Sequence, residues 1–411
     1  DSANLTFNGS TLGVTGDASF SGNVSIGGTL TYEDVSNIDS VGIITARKGV
    51  RITGGGLTVV GVSTFNDDIV GDDSTNISGI NTVAANFYFG CGGTGSRLFQ
   101  NDACGNLIAG NSAGLAITIG NNNQNNILIG RNAGQSINSS CFNVMIGQNA
   151  GLCLSGGSGQ STIIGRGAGA KLGAEGANPA GNTFLGFSAG ANAISGNNNT
   201  FLGYQAGQGT SGCGNSGCNI AIGWRAGCLI KGGDNNIIMG RLSGVANSTG
   251  DENIFIGNYS GRLNISGGNN IAVGKESLRC NLSGGNNIVL GKYAGKCATT
   301  ASYNIAIGFL AGCVGFGNNQ YNVAIGYQAG KNASGNATQN TLIGLNAGPN
   351  LTEGFNTFLG SSVATAATAA ACNVVVGYQA GSNLTCGNCN VFMGQCAGAG
   401  WKTGTANISI G

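Results

Sequence analysis

The 411-residue chain contains 79 glycines, two prolines and no histidine, and only 8% of its residues are charged, with 17 Lys and Arg against 16 Asp and Glu. Sparse and balanced charge argues against nucleic-acid binding, which needs a basic surface. The lack of histidine excludes Ser-His-Asp and Cys-His catalysis and imidazole metal ligands. No run of 18 apolar residues predicts a transmembrane helix.

Residues 1–75 predict a β-rich N-terminal segment with an internal similarity at a spacing of 45 residues. The stretches LGVTGDASF and LTVVGVSTF alternate apolar and polar residues, as half-buried strands do. The charged stretch YEDVSNIDSVGIITARKGV lies between them, and we expect a short helix or a crossover connection there. Residues 76–105 predict a joint that leads into the rest of the chain.

Residues 106–411 repeat a pattern of about 17 residues, as in NIAIGFLAG at 304–312 and NVAIGYQAG at 322–330. Nearly every copy has Asn, three mostly apolar residues and a central glycine, and then, three residues after that glycine, Ala or Ser followed by Gly; the exceptions are Ser161, Val363, Leu278 and Ala364. A period of 17 is too short for a helical-pair repeat, and short apolar runs between Asn and Gly are typical of strands between tight turns. The predicted fold is all-β: a parallel β-solenoid or β-roll fibre of about 18 coils, each stacked on the next.

The recurring Asn predicts a structural column. Stacked in register, each side-chain amide can bond to the amides above and below it; alternatively, each Asn simply begins a turn. Neither interpretation makes these residues catalytic or ligand-binding. The column comprises Asn106, Asn126, Asn143, Asn182, Asn199, Asn219, Asn236, Asn253, Asn270, Asn287, Asn304, Asn322, Asn340, Asn356, Asn373, Asn390 and Asn407, and Ser161 replaces Asn in one copy.

The middle residue of nearly every triplet is also apolar, Ser409 being the exception, so both faces of the predicted strand need cover. One face can fill the interior of its own coil, and 17 residues per coil leave little material to cover the other. We therefore expect neighbouring subunits to cover the middle residues, in a homotrimer whose three-fold axis follows the rod. The predicted oligomer interface is formed by Phe184, Phe201, Phe255, Phe358 and Phe392.

Aromatic and basic residues often stand directly after the central glycine, and we expect them to face solvent or the groove between subunits. Two interpretations remain open, contact with a glycan and packing at the subunit seam. These residues are Phe187, Tyr204, Trp224, Phe309, Tyr327 and Tyr378, with Arg131, Arg166, Arg241, Lys275 and Lys292.

The cysteines and acids indicate no catalysis, metal or cofactor. The acids lie outside the repeating core, and no pair recurs at a spacing typical of glycosidases. Cys386 and Cys389 form a lone C-x-x-C without the second pair of a zinc site. Cys372 and Cys389 are 17 residues apart, as are Cys280 and Cys297, which places each pair on adjacent coils within disulfide reach. Free thiols are common small buried residues, and we expect mostly free thiols.

Asn-x-Ser/Thr sequences fall in the turn half of the repeat. They are typical of turns, and they would carry glycans only in a suitable host. Examples are Asn247, Asn264, Asn281 and Asn383.

The stretch YEDVSNIDSVGIITARKGVRITGGGLTVVGVSTF, within about residues 10–75, resembles a segment of structural and fibre proteins of marine cyanophages, the myoviruses of Synechococcus and Prochlorococcus. The repeat is similar to repetitive tail-fibre-like proteins and, more loosely, to the heads of trimeric autotransporter adhesins. Ile-Ala-Ile-Gly at 305–308 and Val-Ala-Ile-Gly at 323–326 match the adhesin motif, although the period here is longer.

The resemblance implies a structural virion fibre, tail-associated or projecting from the capsid or neck, with an elongated trimeric shaft for host-surface attachment. Its location would be the virion surface, after assembly in the host cytoplasm. Its partners would be other virion proteins at the N-terminal end and a host-surface glycan or protein at a tip outside this sequence. No nucleic acid, membrane insertion, cofactor or enzymatic activity is expected.

The alternative is a bacterial surface adhesin of the trimeric β-roll type. A polysaccharide depolymerase fits less well because paired carboxylates do not recur, and an ice-binding solenoid fits less well because the short Thr column at Thr162, Thr183 and Thr200 does not persist. Since the sequence stops in mid-repeat, we expect a fragment or the ordered part of a longer chain.

Overall fold

The computed structural model describes residues 5–23, 25, 104–117, 123–156, 159–210, 216–314 and 317–411. The chain forms two units, residues 1–86 and 87–411. In the first unit, strand β1 (Leu5–Phe7) pairs antiparallel with β2 (Leu12–Val14), and the Asn8 side chain accepts a 2.8 Å hydrogen bond from the backbone N–H of Thr11 in the turn. The predicted boundary at residue 75 and most of the predicted N-terminal segment and joint lie outside the described residues.

The second unit contains a parallel β-solenoid of about 17 turns, which confirms the predicted fold; the predicted number of coils is about 18. In the described part of this unit, eighteen strands of three residues pair in succession, each in parallel register with the strand of the next coil. Seventeen steps of about 4.8 Å give a ladder about 82 Å long. Within the described residues no pairing joins its first strand to its last, so the ladder is open.

The ladder strands, in chain order, are β3 Leu107–Ala109, β4 Ile127–Ile129, β5 Val144–Ile146, β6 Thr162–Ile164, β7 Thr183–Leu185, β8 Thr200–Leu202, β9 Ile220–Ile222, β10 Ile237–Met239, β11 Ile254–Ile256, β12 Ile271–Val273, β13 Ile288–Leu290, β14 Ile305–Ile307, β15 Val323–Ile325, β16 Thr341–Ile343, β17 Thr357–Leu359, β18 Val374–Val376, β20 Val391–Met393 and β22 Ile408–Ile410. A separate parallel pair, β19 Cys386–Asn388 and β21 Thr403–Thr405, joins the last coils. The only helical turn among the described residues is the 3-10 turn Ala174–Gly176.

The central glycine of each coil makes the sharp turn that ends the strand. Gly240 has φ +127°, a conformation that a side chain disfavours. A Cβ atom at this position would lie 2.7 Å from the carbonyl oxygen of Gly257 in the next coil. The glycine therefore allows both the turn and the close stacking of coils.

The interior of each coil is filled by the middle residue of its strand and by the small residue three positions after the glycine. Leu128, Ile163 and Ala206 are fully buried there. The rings of Phe184 and Phe201 stack at a centroid distance of 5.0 Å. One continuous apolar core thus follows the solenoid axis, and each coil covers the core of its neighbour.

The five phenylalanines expected at a subunit interface lie in this core instead. Phe184, Phe201, Phe255, Phe358 and Phe392 are at most 1% exposed within a single chain. The expected interface is therefore corrected. The glycine turn folds the rest of each coil back beneath its strand, so the middle residue points inward and the first and third residues point outward.

Candidate functional site: the outer face and the basic edge

A buried column of side-chain amides runs along the solenoid just before the strands. In a representative member, Asn253 donates its Nδ2 to Asn236 Oδ1 at 3.1 Å and to the Gly267 carbonyl at 2.8 Å. Its own Oδ1 accepts from the backbone N–H and the Nδ2 of Asn270 at 3.0 and 3.1 Å. These bonds occupy the amide, and the column is a structural element because it joins each coil to the next.

The column has one interruption, at Ser161. The Asn126 and Asn143 amides are linked at 3.0 Å, whereas Ser161 offers only a hydroxyl, which accepts from the backbone N–H of Asn182 at 3.2 Å. The amide-to-amide bonds resume after it. The amides before the interruption are Asn106, Asn126 and Asn143, and those after it are Asn182, Asn199, Asn219, Asn236, Asn253, Asn270, Asn287, Asn304, Asn322, Asn340, Asn356, Asn373, Asn390 and Asn407.

The outer face of the ladder consists of the first and third residues of its eighteen strands, for example Ile254 and Ile256 of β11. Each of these residues is Ile, Val, Leu, Met, Ala or Thr, and each is half-buried or exposed. Leu359 and Met393 are both 45% exposed. A single chain therefore presents a predominantly apolar strip along its whole ladder.

Positive charge collects on the corner beside the outer face, where the chain turns after each strand. We call this corner in residues 224–296 the basic edge. Its cations stand one, two or five residues after the central glycine, and it carries one acid, Glu276. The cations are Arg225, Arg241, Arg262, Lys275, Arg279, Lys292 and Lys296.

Aromatic rings and guanidinium groups stack on one another along this corner. Phe187 lies 5.1 Å from Tyr204, and Tyr204 lies 6.4 Å from Trp224, both in stacked geometry. The Arg241 guanidinium lies 5.2 Å from the Trp224 ring and 5.4 Å from the Tyr259 ring, and it donates a 2.8 Å hydrogen bond to the Tyr259 hydroxyl. These ring faces therefore have stacking neighbours, while Phe187, Tyr204 and Trp224 remain 38%, 45% and 40% exposed.

Glu276 neutralises part of the basic edge. Its Oε2 accepts hydrogen bonds from Lys296 and Arg279, each at 2.9 Å. The bond from Lys296, assisted by that from Arg279, lowers the pKa of Glu276, and the same pairing raises the pKa of Lys296. Arg241, Lys275 and Lys292 are exposed and have no carboxylate partner in the described part of the chain.

Two acids that stand just before the ladder strands, Asp234 and Asp251, have structural roles. Asp234 Oδ1 accepts from the Gly217 N–H at 2.6 Å, and Asp251 Oδ1 accepts from the Asp234 N–H at 2.8 Å. Each carboxylate thus caps the backbone of the preceding coil. No group of three or more His, Cys, Asp or Glu residues in the described ranges could hold a metal ion.

The paired cysteines on neighbouring coils are free thiols. This holds for Cys280 and Cys297 and for Cys372 and Cys389. Burial, assisted by the neighbouring Cys297, raises the pKa of the Cys280 thiol, so this group is a poorer nucleophile at neutral pH than an ordinary cysteine.

Three of the Asn-x-Ser/Thr sites belong to a second, shorter amide column inside the solenoid. Asn264 Nδ2 donates to Asn247 Oδ1 at 2.7 Å, and Asn281 Nδ2 donates to Asn264 Oδ1 at 2.6 Å. All three are fully buried, so the folded chain cannot present them for glycosylation. Their spacing of 17 residues is the signal of this column in the sequence. Asn383 is exposed, and its Nδ2 donates to the Ala399 carbonyl at 2.7 Å.

Comparison with known protein families, with curated proteins and with solved structures finds no match for this chain. Among the described residues, no helix has the length and apolar character needed to span a membrane. The fold by itself defines the class, a parallel β-solenoid repeat protein. Its two distinctive surfaces are the outer face and the basic edge.

Proposed function

We propose that the chain forms the shaft of an elongated homotrimeric fibre, a structural virion fibre for host-surface attachment that is tail-associated or projects from the capsid or neck. The observation that carries this proposal is the outer face, an apolar strip about 82 Å long on one chain. Soluble monomers rarely leave so large a contiguous apolar patch uncovered. Burial of this outer face is the reason for assembly. The five phenylalanines do not contribute to it, because they are already buried within a single chain.

Further copies of the same chain are the occupants that fit this face. Strands of three residues, about 10 Å long, along a ladder of about 82 Å give a face of about 800 Å² per chain. In a trimer each face is divided between two neighbours, and the three faces together bury about 2,400 Å², within the range of specific assemblies. Because the ladder repeats in register, closed rotational symmetry can cover the same strip on every copy. The similarity of the repeat to trimeric adhesin heads favours three copies over two.

The viral setting is supported by the resemblance of residues 10–75 to cyanophage structural proteins. In that setting, other virion proteins bind the N-terminal end, and the assembled fibre lies on the virion surface. The alternative, supported by Ile-Ala-Ile-Gly at 305–308, is a bacterial adhesin of the trimeric β-roll type. The gene neighbourhood separates them: capsid or baseplate genes favour the fibre, and an encoded C-terminal membrane anchor favours the adhesin.

Light scattering after size exclusion tests the assembly. We expect a mass three times the 40.6 kDa of the single chain. Charges on the outer face, in the double variant Met239→Asp and Ile256→Asp, should give single chains. Ser266→Asp, an exposed position off the outer face, is the matched control and should stay trimeric. A single-chain mass for the wild-type protein would reject assembly through this face, and a mass of two chains would reject the three-fold arrangement.

A further inference from the structure

We infer that the basic edge binds a linear acidic polysaccharide, one that carries carboxylate or sulfate groups, along the side of the shaft. The inference deepens the proposed attachment role and rests on it for its biological setting. The site itself lies on one chain, beside the outer face, so its binding can be measured separately from assembly.

The first argument is the local concentration of charge. The basic edge spans five consecutive coils, about 20 Å along the ladder, and this corner holds seven cations and the single acid Glu276. The chain as a whole has a net charge of only +1, so the charge is sorted by position. A predominantly positive row of this kind attracts polyanions, and the attraction weakens with salt.

The second argument is rigidity. Arg241 is held between the Trp224 and Tyr259 rings and bonded to the Tyr259 hydroxyl. The Lys292 ammonium lies 5.1 Å from the Tyr293 ring and 5.9 Å from the Phe309 ring. Long basic side chains normally lose much conformational freedom when they bind a ligand, and those already held in place lose less.

The third argument selects the class of polyanion. Proteins that bind single-stranded nucleic acids stack bases on free aromatic faces, whereas the Trp224 ring has Tyr204 and Arg241 as stacking neighbours. The phosphates of a duplex wind around its axis, so they follow a straight row of cations only briefly. An extended polysaccharide can run parallel to the ladder and place acidic groups against successive coils. The stacked ring faces also disfavour neutral sugars, which need them for stacking.

The test uses the full chain and immobilised alginate, dextran sulfate and uncharged dextran, with duplex DNA as a further probe. We expect binding to alginate or dextran sulfate, loss of affinity between about 50 and about 200 mM salt, and no binding to dextran. The two acidic polymers separate carboxylate from sulfate recognition. The chain should bind the alginate without cleaving it, so no new reducing ends should appear in the polymer.

Variants locate the site. The triple variant Arg241→Gln, Lys275→Gln and Lys292→Gln should bind about tenfold more weakly, because it loses three exposed charges. Lys275→Gln alone, which leaves the ring stack intact, should bind about twofold more weakly. The matched control is Lys231→Gln, an exposed cation away from the basic edge, and it should bind like the wild type. Thermal unfolding of each variant verifies that the solenoid is retained.

Four results would overturn the inference: no binding to either acidic polymer, equal binding to dextran, unchanged binding by the folded triple variant, or tighter binding to duplex DNA at equal charge concentration. Light scattering on the same samples keeps the two proposals apart. A single chain that binds alginate would reject the trimer and retain the site. A trimer that binds no polymer would retain the fibre and reject the site.

Discussion

The central glycines are necessary for the fold because they combine a positive φ with close contact between neighbouring coils. In Gly240→Ala the new Cβ would meet backbone atoms of Gly257, which cannot move without separating two coils, and φ +127° adds strain. We expect a loss of at least about 3 kcal/mol in the free energy of unfolding. Gly232, where an added Cβ would have no other atom within 4 Å, is the control, and Gly232→Ala should change stability by less than about 1 kcal/mol. Denaturant midpoints compare the two, and similar midpoints would refute this account.

The buried amide column makes a second prediction about single residues. Asn253→Ala removes the acceptor for two donors of Asn270 and the donor for the Gly267 carbonyl. Because buried groups without partners cost about 1–3 kcal/mol each, we expect a loss of about 2–4 kcal/mol. Asn253→Ser should lose less, since Ser161 shows that a hydroxyl can still accept the backbone bond. The exposed Ser266→Ala should be neutral in the same denaturation experiment, and an equal loss in all three variants would contradict the assignment.

A strand of this solenoid is apolar on both faces, but the two faces have different roles. The middle residue supports the fold, and the outer residues are free for assembly. Phe255→Ala should therefore lower the free energy of unfolding by about 3–5 kcal/mol through the cavity it leaves, without changing the oligomeric mass. Ile256→Ala, on the outer face of the same strand, should change the stability of a single chain much less. Calorimetry measures the stability and light scattering measures the oligomeric mass. A change of mass in folded Phe255→Ala would support the subunit interface that the sequence predicted at the five phenylalanines.

The sequence predicts the existence, number and register of the ladder strands because one glycine and one Asn recur in nearly every copy. It does not predict which face of a strand points inward. Ile254, Phe255 and Ile256 are all apolar, so polarity gives no direction. The direction depends on how the turn after Gly257 folds, and that follows from φ values and coil contacts that a periodic pattern does not contain.

The sequence also does not predict contacts between residues that occupy different positions of the repeat on neighbouring coils. The repeat indicates the column directly after the central glycine, but Tyr259 and Arg262 stand at other positions and join the basic edge only through the turn. The β19–β21 pair has no signal in the sequence because Cys386–Asn388 lacks the apolar alternation typical of a strand. The separation of positive and negative side chains onto different corners of a coil becomes visible only in the folded coil.

At the scale of the whole molecule, the solenoid is a one-dimensional stack in which each coil contacts its two neighbours. The ladder, the Asn column and the basic edge all run along the same axis, so each step of one coil adds one strand pair, one corner position and, except at Ser161, one amide pair. Stability should then be approximately a sum of coil and neighbour terms. A consequence is that removal of a whole coil differs in kind from removal of part of one.

Deletion of residues 254–270 removes one 17-residue coil and joins Asn253 directly to Ile271. Asn253 then occupies the place of Asn270, β12 pairs with β10, and both amide columns close across the gap. We expect a folded solenoid whose unfolding temperature lies within about 5 °C of the wild type. Deletion of residues 254–261 removes a strand and its central glycine but leaves half a coil, which cannot continue the register, so we expect loss of structure around the junction. Circular dichroism and hydrogen exchange distinguish the outcomes. If both deletions fold equally well, or if the whole-coil deletion unfolds, the coil is not the unit of this structure.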